Sequence, residues 1–239
     1  MRNIKLVEVR SEIAAGTRGA SLGIDALKIA SLDKKSDFFT QFEPINVADA
    51  NNYLWKGNKF PHAKYIDGVY QVLKNVYSSI ESLRLEKKFP IVLAGDHSTA
   101  AGTIMGIKAA NPELRLGVVW IDAHADFNTM ATTSTGNLHG VPVSVLCGHT
   151  LPLLQYGSGL DTCQFGYHGL RDLDSDELNR VLKYQMRLLD DKDDIIDWIN
   201  LFDKIHISFD VDSLDPKIMP GVNTPVINGL TANQIKSVF

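Results

Sequence analysis

Three short apolar runs in this chain each end in acidic or imidazole side chains, and that repeated punctuation limits the fold more than any other feature. Residues 91–95 lead into Asp96-His97, residues 116–121 into Asp122-Ala123-His124-Ala125-Asp126, and residues 205–209 into Asp210-Val211-Asp212. In extended backbone, alternate side chains share a face. Asp122, His124 and Asp126 can therefore converge on one point while Val119 and Ile121 are buried behind them. Short apolar strands separated by helical patterns indicate a parallel sheet covered on both faces. Open sheets of that kind place ligand sites beyond the carboxyl ends of their strands.

The rest of the chain fits this alternation. Residues 4–9 read as a first strand, 24–30 as a short helix and 38–42 as a second strand, with 46–61 irregular. Ile66, Val69, Tyr70, Leu73, Val76, Tyr77, Ile80 and Leu83 recur at three- and four-residue steps, the stripe of a long amphipathic helix. It closes in Lys87-Lys88 before Pro90, and its tyrosines read as packing residues. Residues 98–110 form a helix stopped by Asn111-Pro112, and 128–137 a polar loop. Helices are expected over 141–147, 176–184 and 195–202, and strands over 163–167, 186–189 and 205–209. Thr231 to Gln234 is a capping box, and Leu230 with Ile235 can staple the helix it starts. Phe239 follows too soon to complete a free-standing helix. The expectation is one α/β domain over residues 1–239, incomplete at its C-terminal end.

Composition removes several function classes. The formal net charge is −4 with no block of Lys or Arg, so neither nucleic acid nor an anionic membrane is an expected partner. The acid-rich run 190–194 reads as a helix start. The glycine-rich segment 16–23 lacks the Gly-Lys-Ser/Thr ending of a phosphate loop. Cys147 and Cys163 have no CxxC spacing, and no apolar run is long enough to span a bilayer. A reducing cytoplasm is the expected location.

Each strand-end residue has a plain alternative. Asp96 can cap the helix after it, His97 can be a local hydrogen bonder, and Asp215 before Pro216 can be a turn residue. Together, crowded carboxylates are costly unless a cation compensates them. The set is oxygen-rich and lacks thiolate, which makes manganese the natural ion. Six ligands suit two ions roughly 3.5–4 Å apart, with a bridging water whose pKa falls towards about 7. Four carboxylates, two divalent ions and a hydroxide leave a net charge of about −1, favouring a cationic electrophile over a phosphate.

Gly95-Asp96-His97-Ser98, Asp122-Ala123-His124-Ala125-Asp126-Phe127-Asn128 and Ser208-Phe209-Asp210-Val211-Asp212-Ser213-Leu214-Asp215-Pro216 resemble the signatures of the ureohydrolase (arginase–agmatinase) family, in family order. The resemblance implies a three-layer α/β/α fold with a mostly parallel central sheet. It implies one manganese on His97, Asp122, Asp126 and Asp210, and a second on Asp122, His124, Asp210 and Asp212. The implied reaction is attack of a metal-bridging hydroxide on a guanidinium carbon, with loss of urea. Thr135-Gly136-Asn137-Leu138-His139-Gly140 is similar to the arginase version of the substrate loop. Asn128, Thr135 and Asn137 then match positions holding the α-carboxylate of arginine, Asp174 and Glu177 the α-amino group, and Thr224 the guanidinium. His139 matches the proton shuttle, and Asp126 is carried over as catalytic as well as ligating. Alternatives within the resemblance are an agmatinase, a guanidino-acid hydrolase, a formimidoylglutamase or a non-catalytic metal-binding relative. The family often forms trimers or hexamers. It also carries a glutamate beyond a last strand that grips the guanidinium. Residues 225–239 hold no carboxylate, so poor or absent arginase activity is expected of these 239 residues.

Overall fold

In the computed structural model, which describes residues 3–238, β1 (Ile4–Val9) leads through α1 (Leu22–Asp33) and α2 (Phe38–Gln41) to β2 (Ile45–Val47). Then come α3 (Ile66–Leu85), β3 (Phe89–Ala94), α4 (Thr99–Ala110), β4 (Leu116–Ile121), α5 (Pro142–Leu146) and β5 (Phe165–His168). The chain continues with α6 (Ser175–Lys183), β6 (Arg187–Leu188), α7 (Lys192–Ile199), β7 (Lys204–Phe209) and α8 (Ala232–Val238). Every ladder is parallel, and the strands form two groups, β2-β1-β3 and β6-β5-β4-β7. The expected central sheet is thus divided in two. Side chains join the parts: His97 Nε2, beyond β3, lies 2.8 Å from Ser208 Oγ on β7.

β4 shows why its sequence does not alternate. Leu116, Val118 and Trp120 enter a large apolar cluster with residues of α3, α4 and α5. Val119 and Ile121 enter a smaller one with Ile195 and Trp198 of α7 and with Ile235 of α8. Both faces are covered, the three-layer α/β/α arrangement. In each ladder the chain reverses direction across the sheet, between β1 and β3 and between β4 and β7. Such reversal points open a crevice at the strand ends, and the strand-end acids lie there.

Two packing devices set the layers. Gly102 and Gly106 of α4 face α3, where an added Cβ would lie 2.8 Å from the Leu73 carbonyl and 2.7 Å from that of Tyr77. The two backbones touch because these positions carry no side chain. On the opposite face, α1 buries only Ile24 and is tied to β1 by charge. Glu8, 2% exposed, meets Lys28 Nζ at 2.5 Å and Arg10 at 3.1 Å, and Arg10 also holds Asp25 at 2.7 Å.

Residues 38–42 correct the sequence reading. Instead of a strand they form the short helix α2, because the contacts available are local. The Phe38 ring is 5.2 Å from both Phe39 and Phe42, and the Asp37 carbonyl accepts from Thr40 and Gln41. The strand is β2, and a 3-10 helix, Asn51–Lys56, follows inside the stretch expected to be irregular. α7 begins earlier than its apolar residues suggest, since the Asp191 carboxylate accepts from Asp193 and Asp194 N–H. The Thr231–Gln234 capping box forms as its sequence predicts. Tyr70 and Tyr77 both pack on Tyr156. No helix among the described residues is long and apolar enough to cross a membrane.

Candidate metal centre

At the end of β4 the backbone bends, so the ligands converge by a turn rather than by strand alternation. Asp122 N–H donates to the His168 carbonyl on β5, and His124 N–H donates to Asp122 Oδ1 at 2.7 Å. Asp126 takes φ 49°, a left-handed conformation that Asp adopts more readily than most residues. On the neighbouring strand, Asp210 N–H donates to the Ile121 carbonyl, and Asp210 Oδ1 accepts from Asp212 N–H at 3.0 Å.

These turns bring six side chains together. His97 Nδ1 lies 2.8 Å from Asp122 Oδ2, 3.2 Å from Asp126 Oδ2 and 3.4 Å from Asp210 Oδ2. His124 Nδ1 lies 3.2 Å from Asp212 Oδ2 and 3.4 Å from Asp122 Oδ1. Two sets therefore present ligand atoms close enough to share an ion: His97, Asp122 and Asp210, and Asp122, His124 and Asp212. Asp122 belongs to both; Asp210 joins only the first, and Asp126 borders that set through His97.

The residues fit a cation. His97 Nδ1 is buried and makes no hydrogen bond of good geometry, although three carboxylate oxygens lie within 3.4 Å. With Nε2 against Ser208 Oγ, Nδ1 faces three acids, an arrangement that asks for positive charge among them. In the protein alone, protons take that part. Burial, followed by the charge of Asp122, pushes Asp126 up to about 8 and Asp210 up to about 7. Burial opposes a charged imidazole at His124, yet Asp122 and Asp212 raise it to about 11; Asp122 and Asp126 likewise hold His97 well above its usual range. Burial works against the Asp122 carboxylate too, and the two histidines more than offset it, keeping Asp122 well below the usual carboxylate range.

Three neighbours of the ligands were not singled out as site residues by the sequence. Trp120 Nε1 donates to Asp122 Oδ2 at 3.1 Å, and its indole stacks on the His97 ring with centroids 4.2 Å apart. Ser208 holds the far nitrogen of His97. Asp172 Oδ2 lies 3.4 Å from His124 Nε2. Trp120 stands two residues before Asp122 on one strand, a spacing that could have marked it; the other two depend on strand register. Asp96 does not cap α4, whose N-cap is Ser98; its carboxylate accepts from Ser98 N–H and Oγ and from Ala14 N–H in the turn before the helix, and Asp215 is a turn residue.

The loop residues are tied to their neighbours by hydrogen bonds. Asn128 Nδ2 donates to Asp174 Oδ2 at 2.9 Å, and Asn128 Oδ1 accepts from Thr132. Asp174 also caps α6, and Glu177, 5% exposed, accepts from Phe127 N–H at 2.8 Å. Burial pushes Glu177 up to about 7. Thr224 Oγ1 donates to Asp212 Oδ2 at 2.8 Å. Thr135 is exposed, and its hydroxyl accepts from Asn137 N–H. His139 is half-buried among the charges of Asp96, His124 and His97, its N–H on the Ala14 carbonyl; burial first, then the two histidines, lower its pKa. The segment before α3 roofs this loop. Lys64 N–H donates to the Gly136 carbonyl at 2.9 Å, and a side chain at Gly136 (φ 71°) would strike the Pro61 carbonyl.

A sequence profile described as the arginase family matches residues 2–239. The chain belongs to that family. It is 30% identical over 246 residues to the arginase of Bacillus subtilis, an alignment covering 96% of this chain and 82% of that one. Among solved structures, the native arginase of Bacillus caldovelox aligns with TM-score 0.83 and 26% identity over 98% of this chain and 84% of its own. The Entamoeba histolytica arginase, solved with L-ornithine, shares the fold at TM-score 0.83 and 23% identity, covering 100% of this chain and 86% of that one. The arginase family consists of hydrolases, and the converging Asp and His side chains form two groups able to hold a metal ion.

Proposed function

We propose that this arginase-family chain is a binuclear manganese enzyme that hydrolyses L-arginine to L-ornithine and urea. The observation that carries the reading is the position of Asp122, shared by two ligand sets that a pair of ions would occupy. His97, Asp122, Asp126 and Asp210 would hold one manganese and Asp122, His124 and Asp212 the other; the family resemblance adds Asp210 to the second set, beyond the atoms that converge there. When bound, such a pair activates water near neutral pH and stabilises negative charge that develops during hydrolysis. The hard, oxygen-rich donor set favours manganese over zinc.

The chain's own residues do the rest. Asn128, Thr135 and Asn137 would hold an α-carboxylate, and Asp174 with Glu177 the α-amino group. Asn128 and Asp174 come from two different loops and are already joined by a hydrogen bond, so this pair is organised before substrate arrives. Thr224 orients Asp212 beside the guanidinium. His139 moves protons between the site and solvent, a task suited to an imidazole kept neutral by burial. The two free cysteines agree with a reducing, cytoplasmic setting.

The test is a substrate panel with the manganese-loaded protein: urea from arginine, agmatine and a guanidino acid, and formamide from formiminoglutamate. Arginine should give the highest kcat/KM. Asn137→Ala should raise its KM by roughly 10–100-fold, the loss of a hydrogen bond to a charged group, and leave agmatine nearly unaffected. Faster turnover of agmatine would overturn the substrate assignment. Two ions bound with no turnover of any member would make the chain a metal-binding relative instead.

A further inference from the structure

Arg171 ligates nothing in either set, yet its guanidinium touches the backbone that carries one of them. A guanidinium has five N–H donors in a fixed planar fork. Here all five positions meet main-chain carbonyls: Nε to Ile227 at 3.1 Å, Nη1 to Gly169 and Ser213 at 3.0 and 3.1 Å, and Nη2 to Asp212 and Val226, each at 2.8 Å. The acceptors belong to three segments: the exit of β5, the turn after β7 and the segment following Thr224. The last two are also zipped together by main-chain bonds, Leu230 N–H to Ser213 at 2.8 Å and Asp215 N–H to Leu230 at 3.1 Å.

The two acids of that turn are anchored differently. Asp210 is tied to β4 by its own N–H on the Ile121 carbonyl at 2.8 Å, an anchor outside the turn that it keeps in addition to its bonds from Asp212 N–H and Ser213. Asp212 lies farther along. Its carbonyl is held by Arg171, and its carboxylate by Thr224 Oγ1 and Ala123 N–H. Arg171 binds the backbone on both sides of that contact, at Ser213 and at Val226.

We infer that Arg171 is a positioning residue that sets the affinity of the Asp122–His124–Asp212 set for its ion while leaving the His97–Asp122–Asp210 set largely independent of it. The inference rests on the two-ion reading above. Arg171→Lys replaces the planar fork by one ammonium with three donors, so it can satisfy part of the carbonyl set; Arg171→Met satisfies none.

The test is titration of the chelator-stripped full chain with Mn2+ by calorimetry, with electron paramagnetic resonance to separate a spin-coupled pair from an isolated ion. The unsubstituted protein should take up two ions. Arg171→Met should keep one at an affinity within about threefold and bind the second at least about tenfold more weakly. Its spectrum at one equivalent above saturation of the first site should be that of an isolated ion, and Arg171→Lys should fall between. Parallel weakening of both ions together with a lower melting temperature would reduce Arg171 to a structural role, and unchanged uptake of both would overturn the inference outright. If Arg171→Met does not fold, Arg171→Lys alone decides, by whether it weakens one ion or both. Uptake of a single ion by the unsubstituted protein would overturn the two-ion reading first, and this inference with it.

Discussion

Where α4 crosses α3, Gly102 and Gly106 bring two backbones into contact and apolar side chains close around them. At the tip of β4, buried acids and imidazoles are pressed together with too little compensating charge of their own. The first region stabilises the fold and does nothing else visible in the structure. The second works against the fold until cations arrive, because burying like charges is unfavourable. Stability and chemistry are thus kept in different parts of one molecule, and they should separate under measurement.

The strongest test of that separation is Asp126→Asn. Turnover should fall on the order of 10³-fold, since a ligand charge that fixes the reaction centre is removed. The metal-free variant should melt at or above the wild-type temperature near pH 8, because Asp126 resists ionisation in the fold. A large drop in metal-free melting temperature would break the contrast. Gly106→Ala should do the reverse. Helix propensity improves by roughly 1 kcal/mol, but the new Cβ meets the Tyr77 carbonyl, and overpacking of this kind costs about 1–3 kcal/mol. The melting temperature should fall while manganese uptake per folded molecule stays the same.

A pH series sharpens the comparison further. Asp126 and Asp210 have folded pKa values of about 8 and about 7, above the ordinary value of 3.8, so folding binds protons. Their contribution to metal-free stability is full below the unfolded pKa and is lost as pH rises through about 7–8. His124, raised to about 11, has the same sign at higher pH, whereas Asp122 acts oppositely and only in acid. Manganese competes with these protons, so the rise in melting temperature on adding it should grow from about pH 5.5 to about pH 8. The shift caused by Gly106→Ala should not vary over that range. The smallest effect belongs to Thr231→Ala, which removes the α8 cap at a cost of about 1 kcal/mol. Hydrogen exchange should quicken in α8 alone, with metal uptake unchanged.

The candidate ligands were legible because the sequence put acids where burial makes them expensive, directly after apolar strands. Local spacing was enough to find His97, Asp122, His124, Asp126, Asp210 and Asp212. Their supports were not legible to the same degree. Ser208 stands beside Trp120 only because β7 pairs with β4 in that register, and Asp172 reaches His124 only because β5 pairs with β4 on the other side. Register is a property of the assembled sheet, and no short window of sequence specifies it. The misread stretch, 38–42, failed for the opposite reason: three phenylalanines have strand propensity, and a local aromatic contact outweighed it.

Gly136 and Pro61 carry one more consequence. The polar loop cannot be exchanged as a cassette, because its tight turn is moulded against a segment more than seventy residues upstream. A graft of residues 128–137 from a relative with another substrate should misfold at that seam unless residues 58–65 travel with it. On the substrate reading proposed above, any rewriting of specificity in this scaffold is therefore a two-piece edit, however local the new contacts look.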